Sequence, residues 1–499
     1  MDIDFRERPI EYLQEQAVEV LYQEETAELI VPDSSPDVRA VVDCSAVCCL
    51  RDQEVQAGGL AVSGAFQGMI LYMAEGEEQP HWVDAYLPFS VKLSREEIRN
   101  NSRATAELRI RSVDARILNS RKLLLRVSYA VRLCAYGPAS LQLWDTEQGD
   151  PVQLLRTTEA GYFPVSAGEK QTSFSEPVEL PQAGGEVRRI LKAVPEIQTG
   201  ETTVAEDRVV VKGAVSLHLV YLLESGQLAA FDVQLPVSQY IELDGNLTGG
   251  KAVVTASLTD FQLEEEESGG YLADVGLRLQ AVVWKKIELP LIADGYCAGN
   301  EFEAQFESFR VRQLLDEPVS AGTAEAALSG QPRKLVDCTA WVDFPVCRRG
   351  RDEVTAGTAV IMHALYYNEE GQLCGETVRA EESGTFALAD GAVCMADTDR
   401  SGSCFVSMGG GGGTISCPVT IRARCFAEKP LQTIRAAFVG EPLPDASDRP
   451  SLIVRRAGRQ DRLWDLAKAA GSTIRAIREA NGLEDDSMEE GALLLIPIA

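Results

Sequence analysis

Three stretches of this chain, about 150 residues apart, carry the same short pattern, and the pattern has the period of a β-strand. Each stretch contains an apolar run with a tyrosine and then a turn around a glycine. The tyrosines Tyr72, Tyr221 and Tyr366 are 149 and 145 residues apart. Solenoid repeats recur every 20 to 50 residues, roughly. The longer spacing therefore predicts tandem domains of similar fold.

The middle stretch shows the alternation most clearly. Over residues 209–221 the odd positions are mostly apolar, whereas Lys212, Ser216 and His218 are at even positions. A two-residue period indicates a strand with one buried face and one face in water. Glu224–Gln227 then supplies a turn into a second apolar strand, so this pair is predicted to form a hairpin.

Each repeat also ends in a second alternating strand, which indicates two packed layers of β structure. These strands lie within residues 123–133, 275–283 and 415–425. A chain of 499 residues is also too long for a single core. We predict a mainly β fold, with three tandem β-sandwich-like repeats over residues 1–150, 151–300 and 301–443. A polar, proline-spaced linker is predicted over residues 444–450.

The last fifty residues have a different pattern, which predicts a small βααβ domain over residues 451–499. Asp461 is expected to cap the first helix, and Gly471 to end it. Ser472 is expected to cap the second helix, and Asn481-Gly482 to end it. A final apolar strand then closes the unit.

This C-terminal pattern resembles the LysM domain. The resemblance lies in Leu463-Trp464, Leu466-Ala467, Asn481, Gly491 and the apolar run that ends in Pro497. LysM domains usually bind N-acetylglucosamine polymers, and some bind proteins, through the loop before the first helix and the loop after the second. Gln460, Asp461 and Arg462 stand where that family usually has Gly-Asp-Ser/Thr. The resemblance implies a partner- or glycan-binding surface formed by Arg459, Gln460, Asp461, Arg462, Asn481, Gly482 and Leu483, with Trp464 in the core.

The charge balance argues against two classes of partner. The chain has 76 acidic and 47 basic residues, a net charge of −29, which repels nucleic acid and anionic membrane surfaces. The acidic start of the sequence does not have the pattern of a signal peptide, and no apolar run is long enough to span a bilayer. We therefore expect a cytoplasmic protein with no membrane insertion. Its twelve cysteines are expected to be reduced, small core residues.

The residues that carry enzyme chemistry do not form a recognisable motif. Of the three histidines, His218 and His363 share one register in their repeats, which suggests surface or half-buried strand residues. The glycine run 409–413 is not followed by the lysine of a phosphate loop. No Cys-x-x-Cys or Cys/His spacing indicates a metal. We expect no enzyme activity, no cofactor and no metal site.

Three β repeats followed by one LysM-like domain resemble the SipL-type spore morphogenesis proteins, which carry repeated SPOCS domains. The resemblance implies a non-enzymatic scaffold or adaptor in spore-coat assembly, in the mother-cell cytoplasm at the forespore surface. It also implies that the LysM domain binds the coat basement-layer ATPase, stage IV sporulation protein A. The alternative is a peptidoglycan- or N-acetylglucosamine-binding protein of the cell wall or spore cortex. Self-association through exposed strand edges of the repeats is a further possibility.

Overall fold

A computed structural model describes residues 1–77, 79–147, 149–181, 185–266, 270–409, 412–443, 451–459 and 461–498. The mainly β fold predicted from the sequence is confirmed, and two short helices lie near the C-terminal end. The predicted linker over 444–450 and the site residue Gln460 lie outside the described residues.

The first group of strands runs in chain order to residue 145. It consists of β1 (Arg6–Ile30), β2 (Val38–Gln56), β3 (Gly59–Ala74), β4 (Pro80–Ser94), β5 (Arg103–Asn119) and β6 (Lys122–Asp145). The second group consists of β7 (Val152–Val178), β8 (Val187–Val204), β9 (Arg208–Leu223), β10 (Leu228–Glu242), β11 (Lys251–Glu266) and β12 (Gly270–Cys297).

The third group is cut into more and shorter strands. It consists of β13 (Asn300–Asp316), β14 (Val319–Leu328), β15 (Pro332–Val342), β16 (Val346–Arg349), β17 (Glu353–Asn368), β18 (Leu373–Ala387), β19 (Val393–Arg400), β20 (Phe405–Gly409) and β21 (Gly412–Pro442). The C-terminal module follows, with β22 (Leu452–Arg456), α1 (Leu463–Ala470), α2 (Ile474–Asn481) and β23 (Leu493–Pro497).

Each of the three groups forms two antiparallel sheets, and we call each group a unit. In unit 1 the sheet orders are β1-β6-β5 and β2-β3-β4. Unit 2 repeats this arrangement as β7-β12-β11 and β8-β9-β10. In unit 3, β13, β14, β19 and β20 pair with the long strand β21, while β15, β16 and β18 pair with β17. The sheets built on β3, β9 and β17 are called the meander sheets below.

The three meander sheets pack against one another through an apolar cluster to which every unit contributes. Its buried members are Val42, Leu71, Met73, Leu191, Val220, Leu222, Leu228, Val336, Leu365 and Leu373. The residues Val42, Leu191 and Val336 each form a β-bulge at the corresponding place in their sheets. Bulges re-aim side chains, and here they point the flanking residues at the common centre.

A second contact between the units lies along the other sheets. Tyr136, Trp284 and Phe426 occupy matching positions, each beside a bulge, in the long strands β6, β12 and β21. They belong to one buried cluster, in which the Trp284 and Phe426 rings are 6.3 Å apart. The three units therefore share two apolar centres as well as their own cores.

The C-terminal module consists of the antiparallel pair β22-β23 and, between them in the chain, two helices that end as predicted. Gly471 and Gly482 both have left-handed backbone conformations, with φ of 68° and 65°. The predicted N-caps are wrong. Arg462 occupies the first cap without a side-chain hydrogen bond, because Asp461 accepts the backbone N–H of Gly458 instead.

At the second helix the cap is Thr473, whose hydroxyl accepts the backbone N–H of Ala476. Ser472 is one residue too early for that contact, and its hydroxyl is buried with no hydrogen-bond partner among the described residues.

Among the described residues, neither helix has the length and apolar character needed to cross a membrane.

Candidate functional site

The surface implied by the LysM resemblance consists of two loops of the C-terminal module. In the first loop, the Arg462 guanidinium forms two hydrogen bonds of 2.8 and 2.9 Å with the Asp465 carboxylate. The Asp461 carboxylate accepts from Arg455 and from the Gly458 backbone. Arg459 is exposed. The first loop is thus held by Asp461, and two of its arginines face solvent.

In the second loop, the predicted residues have contacts that hold the module together. The Asn481 amide donates to the carbonyls of Ile477 and Leu495 and accepts the Leu495 N–H. It therefore ties α2 to the final strand. Gly482 supplies the left-handed cap, and Leu483 packs against the module core. These three residues have clear roles in folding, and Leu483 and Asn481 are only partly exposed.

Trp464 is buried, as the sequence suggested, and it also contacts unit 2. Its indole N–H donates to Asp294 at 3.1 Å, and its ring lies 5.1 Å from that of Tyr296. Lys468 forms an ion pair of 2.7 Å with Asp294, and the Tyr296 hydroxyl donates to the Ser472 carbonyl. Burial raises the pKa of Asp294, but the contacts with Lys468 and Trp464 outweigh it and lower the pKa. The helices thus pack against the end of β12.

The opposite side of the module carries an apolar surface that the sequence analysis did not identify. Leu494 and Ile496 of β23 are 2% exposed and face the helices. The alternate positions face away from the core and form the outer sheet face, namely Leu452 (44% exposed), Val454 (58%), Leu493 (70%) and Leu495 (37%). Val454 pairs with Leu495, and Arg456 pairs with Leu493, so these side chains are neighbours.

A second candidate site lies where the meander sheets meet. Lys192 is buried there between two carboxylates, with its Nζ 3.1 Å from Asp43 Oδ2 and 2.8 Å from Asp337 Oδ2. Asp43, Lys192 and Asp337 follow the three equivalent bulges, and thus come from matching positions in units 1, 2 and 3. We call these three residues the central ion cluster.

The histidines with matching register extend the central ion cluster. His218 contacts Asp337 at 2.6 Å through Nε2 and Asp232 at 2.5 Å through Nδ1. His363 is buried, with its Nε2 3.2 Å from Asp43 Oδ1. The expectation of a strand face in water is therefore wrong for the part of β9 around Ser216 and Val220. The face is covered by the other units. The half-buried position expected of the two histidines holds for His218 and is wrong for His363, which is buried.

Burial and charge have opposite effects on the pKa values of Lys192, Asp337 and His218, and at each of the three the effect of charge is larger. Burial lowers the pKa of Lys192, but the two carboxylates outweigh it and raise the pKa above its usual value. Burial raises the pKa of Asp337, but Lys192 and His218 outweigh it and lower the pKa. Burial lowers the pKa of His218, but Asp232 and Asp337 raise it to about 9. His218 is therefore protonated at neutral pH and donates through both ring nitrogens.

A cavity of about 560 Å³ opens beside the central ion cluster, with walls from all three units. Its charged lining is internally paired, since Lys192, His218 and Arg400 contact carboxylates of other strands. The described residues hold no group of three or more His, Cys, Asp or Glu side chains placed to bind a metal ion.

The sequence contains a pattern that could have placed the two histidines on a buried face. The runs around Tyr72, Tyr221 and Tyr366 are apolar at consecutive positions, as in Leu219-Val220-Tyr221-Leu222. Consecutive apolar residues indicate a strand that is buried on both faces. A histidine three residues before two of these tyrosines then falls on the second buried face. Lys192 had no such signal, because the bulge at Leu191 breaks the alternation.

The comparison with protein families adds an observation on unit 2. Residues 186–265 match the family model of the SipL, SPOCS domain. This segment contains β8, β9 and β10 and nearly all of β11, and so includes Lys192 and His218. No significant match was found among curated proteins or among solved structures. The SPOCS match supports a sporulation-related protein of the SipL type.

Proposed function

We propose that this protein is a non-enzymatic scaffold in spore-envelope assembly and that its C-terminal module is a LysM domain that docks a coat protein. The observation that carries the proposal is the SPOCS match in unit 2. The proposal is supported by the packing of the three units around common apolar centres, which suits a rigid platform. It places the protein in the mother-cell cytoplasm, at the forespore surface.

The C-terminal module offers the docking surface. Four aliphatic side chains of the outer sheet face are exposed, and an exposed apolar group of this kind marks an interaction site. Arg456 lies at one end of this face, beside Leu493. Four side chains bury far less than the roughly 800 Å² per partner of a stable protein–protein interface. The face therefore fits a short segment of a partner, and we propose that the exposed Arg459 and Arg462 of the first loop contribute separate charged contacts.

The proposed partner is the coat basement-layer ATPase, stage IV sporulation protein A, as the family resemblance implies. An aliphatic segment with neighbouring carboxylates would complement both the outer sheet face and the arginines. The loop residues Asn481, Gly482 and Leu483 act in this proposal by shaping the module, since their contacts are internal.

The first test measures binding of the full chain to purified stage IV sporulation protein A. Arg462→Ala removes an exposed cation from the first loop without touching the core, and truncation of one good anchor costs on the order of 2 kcal/mol, or about thirtyfold in Kd. The matched control is Arg310→Ala, because Arg310 is also exposed and paired with a carboxylate, but it lies on β13. Calorimetric titration of both variants gives the comparison.

Two outcomes would reject the docking role of the module. One is undiminished capture of the partner after deletion of residues 451–499. The other is binding of N-acetylglucosamine oligomers in the micromolar range without any affinity for the coat protein, which would favour the alternative function in the cell wall or cortex.

A further inference from the structure

The two-stranded sheet of the C-terminal module has two edges, and a side chain of the module occupies one of them. Among the described strands, β22 and β23 pair only with each other. At the outer edge of β23, the Asn481 side chain accepts the backbone N–H of Leu495 at 2.7 Å and donates to the Leu495 carbonyl at 2.6 Å. Both backbone groups of Leu495 therefore point away from β22, and neither is available to a further strand.

The contact with Asn481 also fixes which backbone groups of β22 face outward. Antiparallel strands alternate between residue pairs that exchange two hydrogen bonds and residue pairs whose backbone groups point away from each other. Val454 pairs with Leu495, so the N–H and the carbonyl of Val454 point to the opposite edge of the sheet. The next bonds along the sheet agree, since the Ala457 N–H, three residues from Val454, donates to the Ala492 carbonyl.

The open edge of β22 lies directly beside the outer sheet face. By the same alternation, Leu452 and Arg456 share the outward backbone orientation of Val454, and all three residues are exposed. Leu452 and Val454 also contribute their side chains to the outer sheet face. Unpaired backbone groups on an exposed edge form a template for another strand. Protein domains use such edges to bind extended peptides, whose main chain supplies the hydrogen bonds.

The charges at the end of β22 indicate which kind of segment fits the open edge. Arg455 is paired with Asp461 at 3.3 Å, whereas Arg456 has no carboxylate partner among the described residues. The Arg456 side chain is exposed and donates a hydrogen bond of 3.2 Å to the Gly491 carbonyl. An acidic side chain opposite Arg456 would complement its charge. The edge therefore favours an extended segment that combines aliphatic residues with a carboxylate.

We propose that β22 binds its partner by strand addition. An extended segment of the coat protein, with aliphatic residues at alternate positions and a carboxylate opposite Arg456, forms a third strand on the open edge. Its main chain pairs with the outward groups of Val454, and its aliphatic side chains extend the outer sheet face. The inference rests on the proposed docking function and specifies how the module recognises the partner.

The experiment separates the backbone contact from the side-chain contact at one position. Val454→Pro and Val454→Ala both remove the valine side chain, but only the proline removes the outward N–H. Proline is tolerated on an edge strand where the N–H does not point into the sheet. The full chain is titrated calorimetrically with purified stage IV sporulation protein A in 0.1 M salt. We expect Val454→Pro to bind roughly tenfold more weakly than its matched control Val454→Ala.

Hydrogen exchange, resolved to single amides by fragmentation in the mass spectrometer, gives a second readout on the unmodified chain. The Val454 and Arg456 amides should exchange more slowly in the complex than in the free protein, because the added strand accepts them. In the two free variants, the amides of α1 and α2 should exchange as in the unmodified chain, which would show that the module stays folded.

Three outcomes would overturn strand addition. Equal affinities of the two Val454 variants, or a Val454 amide that is unprotected in the complex, would each reject it and leave the docking function standing. A dimer of the free chain in 0.1 M salt that Val454→Pro dissociates in sedimentation equilibrium would assign the edge to a second copy of this chain. Absence of binding by the unmodified chain is distinguishable from all three, since it would reject the docking function itself and this inference with it.

Discussion

Lys192 of unit 2 joins all three units, because it contacts a carboxylate of unit 1 and a carboxylate of unit 3. Its side chain is 3% exposed, and the ammonium group lies between Asp43 and Asp337, each of which is also buried. A buried ion cluster contributes little net stability, because the cost of removing its charges from water offsets their attraction. The loss of one member is different, since it leaves its partners buried without a counter-charge.

Lys192→Met should therefore lower the free energy of unfolding by about 3 to 5 kcal/mol, because two carboxylates would share a dry site with no ammonium group. Urea denaturation followed by circular dichroism measures this. Lys251→Met is the matched control, since Lys251 is a largely exposed lysine paired with Glu317, and the expected change there is within about 0.5 kcal/mol. Adding Asp43→Asn and Asp337→Asn to Lys192→Met should recover part of the loss.

His218 gives the protein a defined pH response. Its pKa rises from 6.5 to about 9 in the folded protein, so the stability it contributes is complete below pH 6.5 and disappears as the pH rises through 9. At pH 6 we expect the free energy of unfolding of the unmodified protein to be roughly 2 kcal/mol higher than that of the His218→Gln variant. This difference should become smaller toward pH 10. Denaturation of both proteins at each pH gives the comparison. A difference that does not vary with pH would show that the ion pairs with Asp232 and Asp337 are absent in solution.

At the scale of single elements, the sequence predicted the positions of strands and turns well. It predicted less well which faces of a strand are buried. Alternation identified β9 because one face of that strand lies in the core of its own unit, with Val215, Leu217 and Leu219 fully buried. On the second face, Lys212 near one end is exposed. Val220, near the other end, belongs to the apolar cluster that unit 2 shares with units 1 and 3. Local periodicity contains no information about which distant unit covers a face. For this reason the sequence predicts that the second face of β9 is exposed to solvent.

The helix caps of the C-terminal module illustrate the same limit at single-residue resolution. Both glycine ends were predictable, because Gly471 and Gly482 adopt a backbone conformation that other residues avoid. The N-caps were placed one residue early, since Ser472 and Thr473 are both suitable cap residues and only the chain direction decides between them. The sequence analysis placed Asn481 in the binding surface. In the structure its side chain forms hydrogen bonds to Ile477 and Leu495 and so connects α2 to β23.

A paired substitution at the second helix tests the corrected cap. Thr473→Ala removes the acceptor for the Ala476 N–H and should destabilise the module by about 1 kcal/mol. Ser472→Ala removes a buried hydroxyl that has no partner among the described residues, so it should be neutral or slightly stabilising. Hydrogen exchange of the α1 and α2 amides, followed by peptide mass spectrometry, reports on the stability of this module. Equal losses from both variants would contradict the assignment of Thr473 as the cap.

At the scale of the whole molecule, open strand edges favour self-association, whereas the negative charge of the chain disfavours it. Among the described strands, β1 has one hydrogen-bonded neighbour, β6, and it carries seven glutamates against two arginines. An open edge favours pairing with another chain, while like charges on that edge prevent it. The sequence predicted the open edges, but the acidic strand at the rim of unit 1 became visible only with the sheet order.

We therefore expect self-association to depend on salt. At high protein concentration the 54.2 kDa chain should be monomeric in 0.1 M salt, where charges are screened over about 10 Å, and should associate in 1 M salt, where the screening length is about 3 Å. Sedimentation equilibrium measures the mass. Tyr22→Lys, at an exposed position on β1, should weaken the association at high salt. A monomer under both conditions would exclude pairing through this edge.

The alternation of aspartate, lysine and aspartate at three equivalent positions means that the units are not interchangeable parts. A copy of unit 1 grafted in place of unit 2 would bring three carboxylates together at the centre, and a copy of unit 2 in place of unit 3 would bring two ammonium groups against one carboxylate. Shuffled chimaeras of this protein should fail to assemble even though each unit keeps its own strands and core.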